Sequence, residues 1–391
     1  MAKHKYKVVS LFSGAGGLDL GFKQAGFDII WANDFNKDAV ATYKHNIGNE
    51  IILGDITQIS STKIPDNIDV VLGGFPCQGF SVANNKRSMS DMRNYLYKEL
   101  LRVVRDKSPK IFIGENVKGL LSMQNGMVLD MIKKDFQAIG YHVDYILLNA
   151  SNYGVPQNRE RIILYGNKIG IYDKLTLKKQ NKKITTKDAI GFLSDVWITN
   201  HQITVDNRII NNHIASINVQ DKFYARKNPP KQEDICDYLK FWRNKAELST
   251  KKIDNIFGYA HTAGHWFRKD NNSGSIPNIN DWWRLKDILN FDDKFDKQVT
   301  ELELKQIKFE QSLRITNWDS PSDTITATQP EIHINKKRRL SVRECAILQT
   351  FPDDFIFTGS LNSMYRQIGN AVPPLLAKQI AEVIKKWLER D

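Results

Sequence analysis

The first 166 residues alternate short apolar runs with helix-like segments, and this rhythm limits the possible folds more than any other feature. Runs such as KVVSLF, DIIWAND and DVVLGGF have the length of buried strands. Segments such as KDAVATYKHN between them have helical character. This alternation predicts an α/β domain with a doubly wound, mostly parallel sheet. Ligands bind such sheets beyond the carboxyl ends of the strands, so residues that follow strands are the candidates for function.

The pattern changes twice along the rest of the chain. Residues 167–335 are polar and irregular and lack the strand–helix rhythm. Regular helices return in 336–391, where Ser341 followed by Glu344 matches a capping box and PPLLAKQIAEVIKKWLER starts with proline. We therefore predict a first domain over 1–166, a second over 167–335 and a C-terminal part over 336–391.

The charge balance favours polyanionic partners. The chain has a formal net charge of +12 and a pI of about 9.3. The run KLTLKKQNKKITTK (174–187) holds six lysines and no acid. This run has two interpretations: a solvated loop, or a contact to phosphates. General solubility is the alternative explanation of the overall charge.

The cysteines and the apolar runs exclude several classes of protein. Cys77, Cys236 and Cys345 are far apart and odd in number, which gives neither a disulfide framework nor a metal-binding spacing. No run of 18 apolar residues is present, and the first residues lack the pattern of a signal peptide. We expect a cytoplasmic protein without a bound metal.

The segment LFSGAGG (11–17) joins the first predicted strand to the first helix. Gly14, Gly16 and Gly17 remove side chains where a ligand could approach the main chain, and the helix N-terminus offers free N–H groups. Asp19 stands where a dinucleotide fingerprint has its third glycine. A nicotinamide or flavin dehydrogenase, and a tight turn without a ligand, therefore stay open as alternatives.

Charged residues mark the ends of other predicted strands. The carboxylate of Asp34 is suited to accept hydrogen bonds from two ribose hydroxyls. The carboxylate of Asp55 could accept a hydrogen bond from an adenine amino group. Glu115 is either a salt-bridged acid or a carboxyl whose pKa burial raises, which would make it a proton donor. Arg159 and Arg161 are two apart on a predicted strand, so their guanidiniums are expected on one face.

Cys77 lies in the loop GGFPCQGFS that follows the strand DVVLGGF. Gly73, Gly74 and Gly79 allow this loop to turn tightly, and Pro76 stiffens it. A thiolate at a strand end is a competent nucleophile, whereas an inert buried thiol is the alternative. The thiol, the carboxyl of Glu115 and the arginines together would suit an electron-poor ring.

With these residues in place, the chain resembles a DNA (cytosine-5)-methyltransferase of the bacterial restriction–modification type. The resemblance covers residues 5–166 and 336–391. It rests on motifs in the family's order: LFSGAGG, ND at 33–34, GD at 54–55, PCQGFS, GENVKG, QNRERI, RRLSVRECAILQTFPD and YRQIGNAVPP.

The resemblance implies roles for the reacting residues. Cys77 would attack C6 of a flipped-out cytosine, and Glu115 would hydrogen-bond the N3 and exocyclic amine side of the ring. Arg161 would hold the base O2, and Arg159 would contact phosphate or position the loop. Residues 79–95 would close over the base. The implied DNA contacts in the same loop are Gln78 and Ser81.

The resemblance also implies S-adenosylmethionine as cofactor and the fold of enzymes that use it. Asp34 would bind the ribose, at a position where the family commonly has glutamate. Phe35 would stack near the adenine, and Asp55 would accept a hydrogen bond from the adenine amino group. Asn370 would close the pocket from the C-terminal part, whose last helix returns to the first domain. The full implied set is Phe12, Gly14, Gly16, Gly17, Asp34, Phe35, Asp55, Ile56, Pro76 and Asn370.

The family implies that the variable segment 167–335 is a smaller, mixed and partly helical target-recognition domain. Within it, residues 238–291 are similar to the helix-turn-helix of repressor-like proteins, with a third helix over TAGHWFRK. Amphipathic helices with a tryptophan core are the alternative. Residues 321–329 are expected as a strand bordering this region. The residues predicted to face the major groove are His261, Thr262, His265 and Arg268.

The predicted substrate is double-stranded DNA, and the enzyme is expected to be a cytoplasmic monomer encoded by a bacterium or phage. A tRNA cytosine-5 methyltransferase uses related motifs and is the alternative enzyme. A DNA-binding regulator without activity is a third option, but it would not need Cys77, Glu115 and the glycine loop together.

Overall fold

The computed structural model describes residues 5–76, 96–214, 233–259, 278–307, 316–327, 330–335 and 338–391. They form two compact units. Unit 1 comprises the described residues within Met1–Gln220, Asn317–Pro330 and Leu340–Asp391, and unit 2 those within Asp221–Thr316 and Glu331–Arg339. The functional domains predicted over 1–166, 167–335 and 336–391 stay predictions.

Unit 1 is built on a seven-stranded sheet. Its strands are β1 (Lys7–Leu11), β2 (Asp28–Asp34), β3 (Ile51–Leu53), β4 (Val70–Gly73), β5 (Ile111–Val117), β6 (His142–Asn149) and β7 (Glu160–Asn167). The helices among them are α1 (Gly17–Gln24), α2 (Lys37–Asn46), α3 (Leu96–Lys107) and α4 (Met127–Ala138). A short helix α5 (Thr186–Ile190) and the hairpin β8 (Ile203–Val205) and β9 (Arg208–Ile210) follow.

The strand order is β3-β2-β1-β4-β5-β7-β6. Neighbouring strands from β3 to β5 are parallel, whereas β7 runs antiparallel to both β5 and β6. Only residues 150–159 join β6 to β7, which is too short for a parallel crossover. The predicted mostly parallel sheet is confirmed, and its order reverses between β1 and β4, where ligands bind such folds.

The helices bury their apolar faces on the sheet. In α3, Tyr97, Leu100 and Val103 repeat at helical spacing and are buried in a core cluster with strand residues such as Val71 and Phe112. Burying side chains of this size stabilises the fold by about 1.5–3 kcal/mol each. This packing fixes the strand ends that carry the candidate site.

Asp19 is a buried carboxylate in α1. It accepts hydrogen bonds from the Ser10 hydroxyl at 2.7 Å and from the Tyr43 hydroxyl at 2.8 Å, so it joins α1 to β1 and α2. Burial raises the pKa of Asp19 from 3.8 to about 6, against the effect of the two hydroxyls. This structural role explains why a carboxylate stands where a dinucleotide fingerprint would have glycine.

The C-terminal part of unit 1 adds three helices, α10 (Val342–Leu348), α11 (Leu361–Asn370) and α12 (Pro374–Leu388). The predicted capping box of Ser341 and Glu344 is present, and α12 begins with proline as predicted. Helix α12 packs on α1, and Lys385 donates to the carbonyl of Ala25 at 3.0 Å. The end of the chain therefore contacts the beginning of the domain.

Unit 2 contains four described helices: α6 (Glu233–Lys245), α7 (Thr250–Phe257), α8 (Ile279–Leu289) and α9 (Asp296–Leu304). Ile253, Phe257 and Trp282 lie in its buried core, and Gly258 ends α7 with a left-handed conformation. The sequence also predicts an inward Ile256, but this side chain is about half exposed, because it lies at the edge of the face that Ile253 and Phe257 bury. The helix predicted over TAGHWFRK lies outside the described residues.

In the described ranges, no helix combines the length and the apolar character that a membrane crossing requires.

Asp19 gives a prediction for the pH dependence of stability. Because its pKa is about 6 in the folded chain and 3.8 when exposed, the folded state binds an extra proton between these values. The contribution of Asp19 to the free energy of unfolding should therefore fall by up to about 3 kcal/mol as the pH rises from 3.8 to 6. Urea unfolding of the wild type and Asp19→Asn across this range measures the difference. A difference that is constant or grows with pH contradicts the prediction.

Candidate active site at the carboxyl edge of the sheet

The glycine loop after β1 is held by the carboxylate that ends β2. The Gly14 N–H donates to Asp34 Oδ2 at 2.8 Å, and the Asn36 N–H donates to Oδ1 at 2.8 Å. Burial raises the pKa of Asp34, while these main-chain donors lower it. The predicted ribose contact of Asp34 stays a prediction. In the structure, this side chain holds the loop at the switch point of the sheet.

The three glycines of the loop have different surroundings. A Cβ on Gly14 would meet no described atom within 4 Å, and Gly14 has a φ of +55°. A Cβ on Gly16 would lie 2.1 Å from the side chain of Ile47, and one on Gly17 would lie 2.4 Å from the carbonyl of Val372. Packing alone therefore requires glycine at positions 16 and 17, and among the three only the Cβ position of Gly14 faces open space. The cofactor contacts of the three glycines stay predictions.

Other residues predicted to bind the cofactor lie along the same edge. Phe35 is 72% exposed directly after Asp34, and Asp55 is exposed and accepts the Thr57 N–H at 2.9 Å. Ile56 is buried in the core cluster, so its side chain is not available to a ligand. The remaining members of the set are at least partly accessible: Phe12 and Pro76 are half-buried, and Asn370 is exposed at the end of α11.

Glu115 and Arg161 form a buried ion pair across β5 and β7. Arg161 Nε lies 2.9 Å from Glu115 Oε1, and both side chains are largely buried. In the sheet Glu115 is opposite Ile163, so Arg161 is its diagonal neighbour on the same face. Burial raises the pKa of Glu115 and outweighs the opposing charges of Arg161 and Arg159. The expected direction of the shift is confirmed.

The loop after β4 approaches this pair from the neighbouring strand. Asn116, beside Glu115, donates to the carbonyl of Phe75 at 3.0 Å. A Cβ on Gly74 would lie 3.5 Å from Glu115 Oε2, so the main chain of this loop passes next to the carboxyl. This described range ends at Pro76, and the next begins at residue 96. The predicted nucleophile and its neighbours lie outside the described residues: Cys77, Gln78, Gly79 and Ser81.

Arg159, predicted to contact phosphate or to position the loop, lies in a buried hydrogen-bond network. It precedes β7, is completely buried, and donates to the carbonyls of Ile325 at 3.1 Å, Gly369 at 2.8 Å and Ala371 at 3.0 Å. A phosphate contact would require this guanidinium to leave three carbonyls, so these bonds favour the positioning role, and the phosphate contact stays a prediction. Arg159 lies one residue before β7, and its charge acts on both Arg161 and Glu115.

Two glutamines extend this network, and neither was among the residues predicted from the sequence. Gln157 donates to the side-chain oxygen of Gln349 and accepts the Ile325 N–H at 2.9 Å. Gln349 also donates to the carbonyl of Ala371 at 2.6 Å. A buried amide in QNRERI and another in LQTF are weak signals, because their partners lie far apart in the sequence. The strand expected over 321–329 forms one isolated bridge, between Gln157 and Ser322.

The residues predicted to read DNA bases are not placed by the structure. His261, Thr262, His265 and Arg268 lie outside the described residues. Their roles stay predictions.

Known proteins match the chain over nearly its whole length. The sequence profile of the C-5 cytosine-specific DNA methylase family matches residues 6–386. The Type II methyltransferase M.AgeI of Thalassovita gelatinovora is 32% identical over 431 residues, covering 97% of this chain and 99% of its own length. M.FnuDI of Fusobacterium nucleatum is 33% identical, covering 98% and 95%. A solved structure described as a DNA modification methyltransferase encoded within an E. coli prophage has a TM-score of 0.62 at 26% identity, covering 98% of this chain and 100% of its own.

The different surroundings of the glycines predict different costs of substitution. Gly14→Ala should lower the free energy of unfolding by about 1–2 kcal/mol, because only its left-handed conformation opposes a side chain. Gly17→Ala should cost about 3 kcal/mol or more, because the new methyl group meets the main chain of Val372. Urea unfolding of both variants measures the costs. Equal costs, or a larger cost for Gly14→Ala, would show that Gly17 is not in this close contact.

Proposed function

The chain belongs to the C-5 cytosine-specific DNA methylase family, and from this premise we propose how its residues carry out the reaction. It is a site-specific DNA cytosine-5 methyltransferase of the restriction–modification type. We propose that Cys77 attacks C6 of a cytosine flipped out of duplex DNA, and that Glu115 and Arg161 hold the ring. The observation that carries this proposal is the buried Glu115–Arg161 pair, which lies beside the loop that leads to Cys77.

The proposed methyl donor is S-adenosylmethionine, and the edge formed by β1, β2 and β3 fits it. Gly14 leaves open space at the loop between β1 and α1, Phe35 offers an exposed ring, and Asp55 an exposed carboxylate. Asp34 keeps the loop in place through its bond from the Gly14 N–H. When bound, this cofactor supplies a methyl group on a positively charged sulfur. Phe12, Pro76 and Asn370 stay candidates for further contacts.

The proposed reaction forms and breaks bonds at C6 and C5 of the cytosine ring. The Cys77 thiolate forms a bond to C6, and the displaced electron pair makes C5 nucleophilic. C5 then forms its bond to the methyl group as the bond from the methyl group to the sulfonium breaks, and that electron pair leaves with the sulfur as a neutral thioether. Transfer of the C5 proton to solvent and cleavage of the Sγ–C6 bond restore the aromatic ring and the thiolate. Because C6 is not accessible inside stacked base pairs, the cytosine must leave the helix first.

Glu115 and Arg161 would stabilise the ring during this addition. Burial raises the pKa of Glu115, so its carboxyl keeps a proton to higher pH than an exposed glutamate and can share it with N3. Besides the Nε–H that faces Glu115, Arg161 Nη1 donates to the carbonyl of Glu160 at 2.8 Å, and the remaining guanidinium N–H groups suit the base O2. Glu115 thus offers a hydrogen-bond donor to N3 of the cytosine, and Arg161 offers donors to O2.

Target selection and assembly complete the proposal. We propose that 167–335 selects the DNA sequence, with the helices of unit 2 inside this segment, and that the enzyme acts as a monomer on double-stranded DNA. The helix-turn-helix interpretation of 238–291 stays part of the proposal. The tRNA alternative receives no support from the family, which is one of DNA methylases, or from the relatives, which are Type II methyltransferases.

Substitution of Cys77 tests the covalent step. Cys77→Ala should lower the rate of methyl transfer to duplex DNA by about a thousandfold or more, because no other group replaces the nucleophile. Cys236→Ala is the matched control and should keep the wild-type rate, because Cys236 lies in unit 2 on helix α6. Bisulfite sequencing of DNA from cells that express each variant also identifies the target. Full activity of Cys77→Ala would refute the mechanism, and transfer to tRNA alone would refute the substrate.

The pH dependence of the rate tests the role of Glu115. If protonated Glu115 assists addition, kcat/KM should fall as the pH rises through the pKa of Glu115, and Glu115→Gln should lose about 10²-fold or more. The charge of Arg161 lowers this pKa, so Arg161→Gln should move the alkaline limb to higher pH. Lys118→Gln is the control, because it removes an exposed charge paired with Glu160. An alkaline limb at the same pH in all variants would contradict the assignment.

A further inference from the structure

The lysine-rich segment, residues 174–187, lies on the surface of unit 1 with its charges outward. Leu175, Leu177 and Thr186 are buried, whereas Thr176 and residues 178–183 are exposed. The segment has no regular helix or strand before Thr186. Its six lysines are all exposed: Lys174, Lys178, Lys179, Lys182, Lys183 and Lys187. The buried leucines determine which side of the segment faces solvent.

Hydrogen bonds hold the main chain of this segment in place. The Leu175 N–H donates to the Tyr165 hydroxyl at 3.0 Å, and the Gln180 N–H donates to the carbonyl of Asn152 at 2.8 Å. At the other end, the Thr186 N–H donates to the carbonyl of Ser320 at 2.9 Å. A solvated loop would not need anchors along its whole length. These bonds therefore present the lysines on a fixed path.

The described protein offsets only part of the positive charge of the segment, through the interaction of Asp188 with Lys182 and Lys187. Asp173, which precedes it, pairs with Arg390 at 2.7 Å. Asp188, which follows it, is bonded to Thr185 in a capping box. Within the described ranges, none of the six lysines forms an ion pair. Like charges held close together repel one another, so such a surface is suited to a polyanion.

The path of the segment leads to the edge of the sheet that carries the candidate site. It begins beyond the end of β7, where Asn167 lies opposite the start of β5. It then passes Asn152, which follows the carboxyl end of β6. That end of β6 pairs with Glu160, next to Arg161. The lysines at and after 178 are therefore on the side of unit 1 that a duplex must approach.

We propose that the lysine-rich segment binds the phosphate backbone of the duplex next to the target cytosine, without reading its sequence. This inference rests on the proposed function and adds a second contact to it. Lysine ammonium groups bind phosphates as point charges and carry no base specificity. Fully extended, the 14 residues would span at most about 46 Å, the length of about 13 base pairs. The segment would therefore contact phosphates on one side of the target cytosine, either within the recognised site or just beyond it.

The experiment compares two variants with the same net charge. One carries Lys178→Gln, Lys179→Gln, Lys182→Gln and Lys183→Gln. The control replaces four exposed lysines of other elements with glutamine: Lys44, Lys63, Lys134 and Lys386. The dissociation constant for a duplex that carries the target sequence, and for one of scrambled sequence, is measured over a range of salt concentrations. Methyl transfer to the target duplex is measured at low salt.

Each lost phosphate contact should reduce the slope of log affinity against log salt by about 0.9. The segment variant should therefore lose up to about 3.6 in slope, with the ratio of target to scrambled affinity unchanged, and the control should keep the wild-type slope. Equal slopes in the two variants overturn the proposal, as does a changed preference for the target. A wild-type chain that neither binds nor methylates duplex DNA would instead overturn the proposed function, so the two failures are distinguishable.

Discussion

The buried guanidinium of Arg159 is the constraint on which the rest of the site depends. Burial lowers the pKa of Arg159 strongly, and the nearby charge of Arg161 lowers it further. A buried charge needs hydrogen-bond partners, and three carbonyls accept from its Nη1 and Nη2 groups, while Nε has no partner in the described residues. One of these carbonyls, of Gly369, lies in the last turn of α11, and another, of Ala371, follows the helix directly. Arg159 therefore holds the C-terminal part against the start of β7.

This attachment links the two halves of the site. The residues after α11 also bring the carbonyl of Val372 against Gly17, at the start of α1. Gly14, three residues earlier, is bonded to Asp34. On the other side of Arg159, two residues along the chain, Arg161 pairs with Glu115. The glycine loop and the ion pair are thus positioned by one network, although they lie on different strands.

Much of the fold could be predicted from the sequence, because strand and helix patterns depend on neighbouring residues. The rhythm of the first 166 residues, the capping box at Ser341 and the proline at the start of α12 are local signals. The partners of Gly17 and Arg159 are not local, since they lie more than 160 residues away in the sequence. Local patterns therefore identify Gly17 and Arg159, but they cannot reveal the packing contact of Gly17 or the carbonyl partners of Arg159.

The central claim is that Cys77 forms a covalent bond to C6 of the target cytosine. A duplex with fluorine in place of the C5 hydrogen at the target tests it most directly, because fluorine cannot leave as a proton and the thiol cannot be released. The account predicts a stable protein–DNA adduct in the presence of S-adenosylmethionine, with the modified nucleotide on the peptide that contains Cys77. Normal methylation of the unmodified duplex without an adduct on the fluorinated one, or an adduct on another residue, would contradict it.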